Sequence, residues 1–346
     1  MPDAADRPST LTGLLRRHPL KPSVEGHRGL GGPAKTVLSL LQQLEDSQWW
    51  PAERLREQQR RQRDRLLAHC HAQVRYYREQ LDALGYRPGQ PITDEQWQRL
   101  PTLGRRTVQR DPGLLRSQRY PQSHGRTLVR STSGSSGTPI KVLATELTNS
   151  FWDALAARSL IWAEMDPAGT LAAVRGRLKN APYPKGARQA TWGAPIDQLF
   201  ETGPAVALSG TTPLPQVVDW LSRQAPDFLV GSSHTISALA RHCQRTGQDL
   251  PNLKVVQSYG GVIRPADHAL CQAAWGAQLC DTYSTEEVGY IALPCPEEGR
   301  LHVQSETVML EILDPEGQPC PPGQQGRVFV TPWTDYRGAS GSPLRV

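Results

Sequence analysis

The 346-residue sequence has no long apolar run, and only 6% of its residues are aromatic. Its mean hydropathy is −0.51, and no stretch approaches the roughly 18 apolar residues that a membrane-spanning helix needs. Residues 1–6 are polar and acidic and lack the apolar segment of a secretory signal. We therefore expect a cytoplasmic protein with no membrane partner, long enough to bury more than one domain core.

Lysine is scarce. The chain has only six lysines, and its net charge of +6 comes mainly from 33 arginines. Many of the arginines lie between Arg54 and Arg78, interleaved with acids such as Glu57. A nucleic-acid-binding protein usually concentrates its positive charge on one face. We interpret this segment as a solvated helix face and expect no nucleic-acid partner. The alternative, nucleic-acid binding through residues 54–78, predicts an affinity that falls steeply with salt.

Paired cysteines are also absent, since the six cysteines are scattered and none belongs to a C-x-x-C pair. In a chain without a secretory signal they are most simply free thiols. Cys295 and His302 are close enough in sequence to be two ligands of a zinc ion. Structural zinc takes four ligands with closer spacing, so this pair alone does not define a site.

Glycine and proline are abundant, with 30 residues of each, and they divide the chain into regions of different pattern. The strongest helical pattern runs over residues 52–84, where apolar residues recur every three or four positions, and Gly85 is placed to end it. The predicted regions are 1–46, a poorly ordered lead-in; 47–120, helical; 121–305, an α/β nucleotide-binding core; and 306–346, a β-rich segment.

The predicted core has the pattern of a parallel sheet. Between residues 170 and 282, short apolar runs alternate with helical patterns of about ten residues, which predicts βαβ units. Residues 308–313 and 327–331 then alternate apolar and polar side chains around turns that contain Pro and Gly, which predicts a hairpin or small β-barrel. The expected fold class is α/β, with parallel βαβ layers between a helical region and a β-rich segment.

A hydroxyl-rich loop follows the helical region. Gly134 and Gly137 can adopt positive φ angles, so that successive backbone N–H groups form an anion-binding nest, and the hydroxyls add donors for phosphate oxygens. Composition alone fits a flexible Ser/Gly linker equally well. The stretch is short, however, and apolar residues resume at once after it. The predicted phosphate-binding residues are Ser131, Thr132, Ser133, Gly134, Ser135, Ser136, Gly137 and Thr138.

Two further candidate sites follow predicted strands, where α/β sheets place ligands. Residues 281–289 combine an aromatic ring that can stack on a base, hydroxyls, and carboxylates that can hold Mg²⁺. Taken alone, this stretch fits an ordinary strand-end turn with exposed acids equally well. The other candidate is the turn at residues 256–261, which ends in two glycines.

The loop and the 281–289 motif, in this order, resemble the corresponding motifs of the adenylate-forming enzymes. The loop is similar to the phosphate-binding loop of that family, and Tyr283 to Glu287 matches its Tyr-Gly-x-x-Glu motif with Ser284 in place of glycine. The flanking residues 76–79 and 289–296 look most like the branch of phenylacetate–CoA ligase and coenzyme F390 synthetase. The resemblance covers about residues 47–335 and implies the large N-terminal domain of these enzymes.

The resemblance implies a role for each site residue. Tyr283 would stack on adenine, with Thr282 and Ser284 beside the nucleotide. Glu287 would bind the magnesium of ATP as the catalytic acidic residue, with Glu286 as the alternative register. The turn that would line the adenine consists of Ser258, Tyr259, Gly260 and Gly261, and Gly261 stands where the family often has glutamate.

The implied reaction joins a small carboxylic acid to ATP as an acyl- or aryl-adenylate and then to CoA as a thioester. ATP, Mg²⁺ and CoA are the implied cofactors, and an oligomer is compatible with the family. The acid pocket is expected at the turns 228–236 and 257–262. Residues 335–346 depart from the family pattern, and its Gly-Asp, hinge and C-terminal lysine are not found up to Val346.

We therefore expect weak adenylation and little thioester formation, because a missing donor to developing charge costs about 3–4 kcal/mol. The rival interpretation is a non-catalytic, nucleotide-binding fragment or relative.

Overall fold

The computed structural model describes residues 9–25, 32–111, 113–131, 139, 141–176 and 178–333. Within those ranges no helix combines the length and apolarity needed to traverse a bilayer. The chain divides into two units, each assembled from separate stretches, whereas the predicted organisation is four consecutive regions. Unit 1 contains residues 1–42, 153–284 and 292–302; unit 2 contains 43–152, 285–291 and 303–346.

The secondary structure of the described residues begins with helices and continues with alternating strands and helices. The helices are α1 (Leu11–Arg17), α2 (Pro22–Glu25), α3 (Pro33–Ser47), α4 (Ala52–Gln73), α5 (Arg75–Ala83), α6 (Asp94–Arg99), α7 (Arg105–Arg110), α8 (Glu146–Trp162), α9 (Ile196–Leu199), α10 (Leu214–Gln224), α11 (Ser233–Thr246) and α12 (Pro265–Trp275). The strands are β1 (Thr127–Ser131), β2 (Lys141–Thr145), β3 (Leu171–Arg175), β4 (Ala187–Gln189), β5 (Ala205–Ser209), β6 (Phe228–Ser232), β7 (Val255–Tyr259), β8 (Gln278–Asp281), β9 (Tyr283–Thr285), β10 (Gly289–Pro294), β11 (Leu301–Val303), β12 (Val308–Leu313) and β13 (Arg327–Pro332).

The lead-in, predicted to be poorly ordered, contains helices in its described part. In α1, Leu11 and Leu14 are buried, and the Thr10 hydroxyl caps the helix by accepting from the Gly13 N–H at 3.0 Å. The Lys21 N–H donates to the Leu199 carbonyl at 2.9 Å, which attaches this segment to unit 1. The leucines of α1 are spaced for one helix face.

The long helix predicted over residues 52–84 is two helices, α4 and α5, separated at Val74. Val74 is extended, with φ −120° and ψ 109°, and its side chain is fully buried beside Tyr77 and Leu67. The Arg78 guanidinium donates to the carbonyls of His71 and Ala72, at 2.9 and 2.6 Å, next to the break. Burial of an apolar side chain therefore outweighs one turn of helix here.

The arginines of this region are largely engaged by their own helices. Glu57 accepts hydrogen bonds from Arg60 and Arg61, and Arg75 donates to Glu79 at 2.8 Å. The two arginine hydrogen bonds hold the pKa of the Glu57 carboxyl below its usual value. These pairs agree with the interpretation of the segment as a solvated helix face.

Unit 1 is built on a six-stranded sheet with the order β4-β5-β3-β6-β7-β8. All pairings are parallel except that of β4 with β5, so the predicted parallel βαβ architecture is confirmed. One face packs against α10, α11 and α12 around the fully buried Trp220. On the other face, Leu160 and Ala163 pack over Phe228 and Val255. The strand β5 was not predicted.

Unit 2 contains antiparallel strand pairs. The predicted hairpin is confirmed as β12 paired with β13, with Val308 opposite Pro332. The strands β1 and β2 also pair, with Ser131 opposite Lys141. A capping box begins α6, because Thr93 and Gln96 exchange side-chain-to-backbone hydrogen bonds of 3.1 Å.

Asp227 connects three strands of the sheet through its carboxylate and backbone. Its Oδ2 accepts from the Thr170 N–H at 2.9 Å and its Oδ1 lies 2.8 Å from Lys254 Nζ. Burial opposes ionisation, but the Lys254 ammonium and the Thr170 N–H outweigh it and hold the pKa of the Asp227 carboxyl below its usual value. The ionised carboxylate therefore stabilises the folded state.

Asp227→Asn should lower the free energy of unfolding by about 1 kcal/mol at neutral pH, because one charged hydrogen bond is lost. A lowered pKa means that the wild-type advantage is complete above the unfolded-state value of about 4 and disappears as the pH falls through the folded-state value. Urea denaturation between pH 7 and pH 3 measures both. The exposed Asp46 serves as control, and equal effects of Asp46→Asn and Asp227→Asn would contradict the assignment.

Candidate nucleotide-binding site

The carboxyl ends of the parallel strands share one edge of the unit 1 sheet. From β3 the chain proceeds to β5 on one side, and β6, β7 and β8 then follow on the other side. Ligands of α/β sheets bind where the strand order reverses in this way. Two of the three predicted sites, the turn at 258–261 and the start of the Tyr283 motif, follow strands at this edge.

Ser258 and Asp281 are joined at the ends of β7 and β8. The buried Ser258 hydroxyl donates to Asp281 Oδ1 at 2.7 Å, and the two residues are partners in the strand register. Since its proton is held by Asp281, Ser258 contributes by positioning the residues that follow Asp281. The contact between Ser258 and Asp281 could not be predicted from the sequence, because it depends on the register of the two strands.

The turn after β7 owes its two glycines to different causes. Gly260 has φ +72°, a conformation that favours glycine. At Gly261, a Cβ atom would overlap Ser233 Oγ and lie 3.3 Å from Ser233 Cβ. Ser233 is the first residue of α11 and is buried, and its hydroxyl has no hydrogen-bond partner among the described residues. The start of α11 therefore occupies the space that a side chain at position 261 would need.

The residues after β8 present an unsatisfied hydroxyl beside an exposed ring. The Thr282 Oγ1 atom is buried and has no hydrogen-bond partner within the described ranges. The Tyr283 side chain is 37% exposed, so its ring is accessible to a ligand. A bound base and sugar would cover the ring and could satisfy the hydroxyl, so these residues fit a nucleotide. Ser284 is half-buried next to them.

In unit 2 the hydroxyl-rich loop connects two paired strands. Ser131 ends β1 and is exposed, and its register partner Lys141 begins β2. Thr132, Ser133, Gly134, Ser135, Ser136, Gly137 and Thr138 lie outside the described residues. Antiparallel pairing holds the two ends of the stretch side by side, an arrangement that suits a binding loop better than a linker between separate bodies.

Trp152 joins the root of this loop to the residues that follow Glu287, all within unit 2. The Arg130 guanidinium lies over the Trp152 ring, 4.1 Å from its centroid, and also donates to Asn149 Oδ1. On the other side, the Tyr290 and Trp152 ring centroids are 5.5 Å apart. Gly289 has φ +94°, and a Cβ there would lie 3.2 Å from Trp152 Cε3. Arg130 directly precedes the predicted phosphate-binding residues, whereas no motif in the sequence points to Trp152.

The two acidic residues of the motif differ in burial. Glu286 is exposed, whereas Glu287 is half-buried, and the turn that carries them is closed by the Val288 N–H, which donates to Thr285 Oγ1 at 3.2 Å. Among the described residues no three His, Cys, Asp or Glu side chains cluster as a metal site. Magnesium held partly by substrate phosphates needs only one or two protein carboxylates, so Glu287 fits this type of binding.

The cysteines are free thiols, as predicted, and four of them are buried. Burial raises the pKa of the Cys280 thiol to about 12, and burial together with Asp267 does the same for Cys271. Cys295 and His302 gain no third metal ligand from the described part of the chain, and the His302 ring lies edge-on to Trp162 with centroids 5.7 Å apart. The suggested zinc pair therefore receives no support.

Comparison with known proteins gives partial matches. No family model matches the sequence. The chain is similar to the uncharacterized acyl–CoA ligase YhfT of Bacillus subtilis (strain 168), with 28% identity over 142 residues that make up 39% of this chain and 28% of the relative. The match thus spans little more than a quarter of that relative.

Solved structures of 2-hydroxyisobutyryl-CoA ligase have the same fold. An open conformation in complex with 2-HIB-AMP and CoA has a TM-score of 0.60 and 18% identity, covering 82% of this chain and 66% of the ligase. A postadenylation state in complex with R3-HIB-AMP has a TM-score of 0.63 and 19% identity, covering 86% of this chain and 63% of the ligase. The predicted fold, that of the N-terminal domain of adenylate-forming enzymes, is confirmed.

Together, the curated relative and the shared fold support the resemblance to adenylate-forming acyl–CoA ligases that the two motifs indicated. The chain spans less than two thirds of the length of the proteins it matches. The phenylacetate–CoA ligase branch and the individual site residues stay predictions.

Proposed function

We propose that this chain carries out, or contributes the large domain to, ATP-dependent activation of a small carboxylic acid. A carboxylate oxygen attacks the α-phosphorus of ATP, pyrophosphate leaves, and an acyl-adenylate results. The CoA thiol, on losing its proton, then attacks the acyl carbon and AMP leaves. The proposal is carried by the two contacts of the Trp152 ring. One is with Arg130 at the root of the hydroxyl-rich loop, and the other is with Tyr290, just beyond Glu287.

Each part of the proposed site has a distinct task. Tyr283 would stack on the base, and the Thr282 hydroxyl would gain the partner that it lacks. Ser258 and Asp281 hold the ends of β7 and β8 in register, so that Tyr283 is presented at the sheet edge. The residues 131–138 would surround the phosphates through backbone N–H groups and hydroxyls.

The reaction also requires positive charge close to the phosphates. A magnesium ion held by Glu287 would neutralise phosphate charge as pyrophosphate leaves. Arg130 is half-buried next to Ser131, so it would add a fixed positive charge beside the loop. Positioning and charge stabilisation of this type account for most of the catalysis in related phosphoryl transfers.

We also propose which class of carboxylic acid is the substrate. Residues 76–79 and 289–296 resemble the phenylacetate–CoA ligase branch, and the similar solved ligases contain acyl-AMP and CoA. We therefore place aromatic and short aliphatic acids first among candidate substrates. The partners are then the acid, ATP and CoA, with Mg²⁺ as the metal.

Two measurements on the 346-residue chain test the proposal. Titration calorimetry with Mg–ATP should show saturable binding, and pyrophosphate should be released when acetate, hexanoate, benzoate or phenylacetate is added. ATP without an acid is the control. Binding without pyrophosphate release across the panel would favour the non-catalytic nucleotide-binding protein. No binding of Mg–ATP would contradict both the ligase activity and the non-catalytic nucleotide-binding alternative.

A further inference from the structure

A slot of about 290 Å³ lies on one face of the unit 1 sheet. Its floor consists of small residues from three adjacent strands: Ala173 on β3, Ala205 and Ala207 on β5, and Ala187 on β4. The strand register places Ala173 beside Ala207 and Ala187 opposite Ala207. On the same face, Phe228 and Val255 fill the space under Leu160 and Ala163. The slot is thus the part of this face where side chains are too short to fill the space.

The two ends of the slot differ in chemistry. Arg175 lines it at the carboxyl edge of the sheet and is exposed, with its guanidinium 5.7 Å from the Tyr259 ring centroid. Trp192 lines the other end and is held in place, because its Nε1 donates to the Gly169 carbonyl at 2.9 Å and its ring packs edge-on against Phe228. From Leu171 to Arg175 the strand runs about 13 Å.

The chain segment that contributes Arg175 and Ala187 to the slot carries an excess of positive charge. In the printed sequence no acidic residue lies between Asp166 and Asp197, while five basic residues lie between positions 175 and 188. The Arg175 guanidinium has no carboxylate partner in the described ranges and lies 5.7 Å from the centroid of the Tyr259 ring. A guanidinium in that position is available for a carboxylate from solution, which it can bind through two parallel hydrogen bonds.

We infer that this slot holds the organic acid, with its carboxylate at Arg175 and its apolar part on the alanine floor in the direction of Trp192. The inference rests on the proposed function, because Tyr259 belongs to the turn expected beside the nucleotide. A cavity of about 290 Å³ is at the lower limit of small-molecule pockets. The substrate class is therefore a monocarboxylic acid with one aromatic ring or a short aliphatic chain. Long-chain acids exceed the slot.

Binding of acids without ATP tests the slot directly. Calorimetry on the full chain should show saturable binding of benzoate, phenylacetate or hexanoate. The same titrations should change the tryptophan fluorescence of the parent chain, because the acid contacts Trp192. Trp192→Phe should remove that fluorescence change. Arg175→Gln should weaken binding of all three acids about tenfold, because a charged hydrogen-bond partner is lost. The matched control is Arg188→Gln, since Arg188 is an exposed arginine on β4 that does not line the slot.

A second variant tests the floor. Ala187→Leu should weaken benzoate and hexanoate binding at least tenfold but leave acetate binding unchanged, which also shows that the variant is folded. Ala187 is suitable because it is half-buried on the edge strand β4. Equal binding of benzoate by Arg175→Gln and Arg188→Gln, an unchanged affinity in Ala187→Leu, or no binding of any acid at millimolar concentration would overturn the inference.

The slot and the proposed function can fail separately. Acid binding with the expected variant pattern, but no pyrophosphate release with Mg–ATP, would leave the slot in place and contradict the ligase activity. Pyrophosphate release that is indifferent to Arg175→Gln and Ala187→Leu would support the ligase activity and place the acid elsewhere.

Discussion

Glu287→Gln should reduce acid-dependent pyrophosphate release by about a hundredfold and weaken Mg–ATP binding. Glutamine keeps the size of the side chain but removes the negative charge that would hold magnesium against the phosphates. Loss of one group aimed at transition-state charge typically costs a factor of 10² to 10³. If the loss occurs through the metal, raising the Mg²⁺ concentration should restore part of the rate, an effect that a structural defect would not produce.

Glu286→Gln is the matched control, because Glu286 is the neighbouring acid and is exposed where Glu287 is half-buried. It should change the rate less than threefold. A large loss in Glu286→Gln with little change in Glu287→Gln would show that the alternative register is correct. If neither variant changes Mg–ATP affinity, the assignment of the Tyr283–Glu287 motif is wrong.

Trp220→Ala should destabilise unit 1 by about 3–5 kcal/mol, the usual cost of removing a buried tryptophan. The Trp220 side chain is fully buried between α10 and the sheet, and its Nε1 donates to the Lys185 carbonyl at 3.4 Å. Gly186 has φ +66°, and its Cβ position lies 2.8 Å from Trp220 Nε1. The backbone at Lys185 and Gly186 is therefore fitted to the indole, and alanine at position 220 would leave a cavity.

Trp49→Ala is the control, since the Trp49 side chain is 51% exposed. Its effect should stay below about 1 kcal/mol. Urea denaturation followed by far-ultraviolet circular dichroism compares the two variants with the parent chain. Equal destabilisation by Trp49→Ala and Trp220→Ala would contradict the packing described for α10.

The parallel sheet could be predicted because its buried strands and helices differ in period and are separated by clear breaks. The strand β5 was missed because it is only five residues long and two of them are alanines, which carry a weak strand signal. The break at Val74 could not be read from the sequence, since valine costs an α-helix only a few tenths of a kcal/mol. There the tertiary packing of one side chain decides the backbone conformation.

The candidate site was predicted as motifs and not as contacts. Tyr283 and Glu287 were proposed as site residues because a family pattern spans them, and these assignments stay predictions. The roles of Ser258 and Asp281 depend on the register of β7 and β8, and the role of Trp152 depends on its contacts with Arg130 and Tyr290. The slot was missed because alanines on separate strands carry no local signal of a cavity.

The overlap between Ser233 and position 261 bears on how such sequences are compared. By the resemblance, Gly261 stands where the adenylate-forming enzymes often have glutamate. In the fold, the Ser233 side chain on α11 occupies the space that a side chain at position 261 would need. A substitution at position 233 or 261 can therefore be interpreted only together with the residue that occupies the other position.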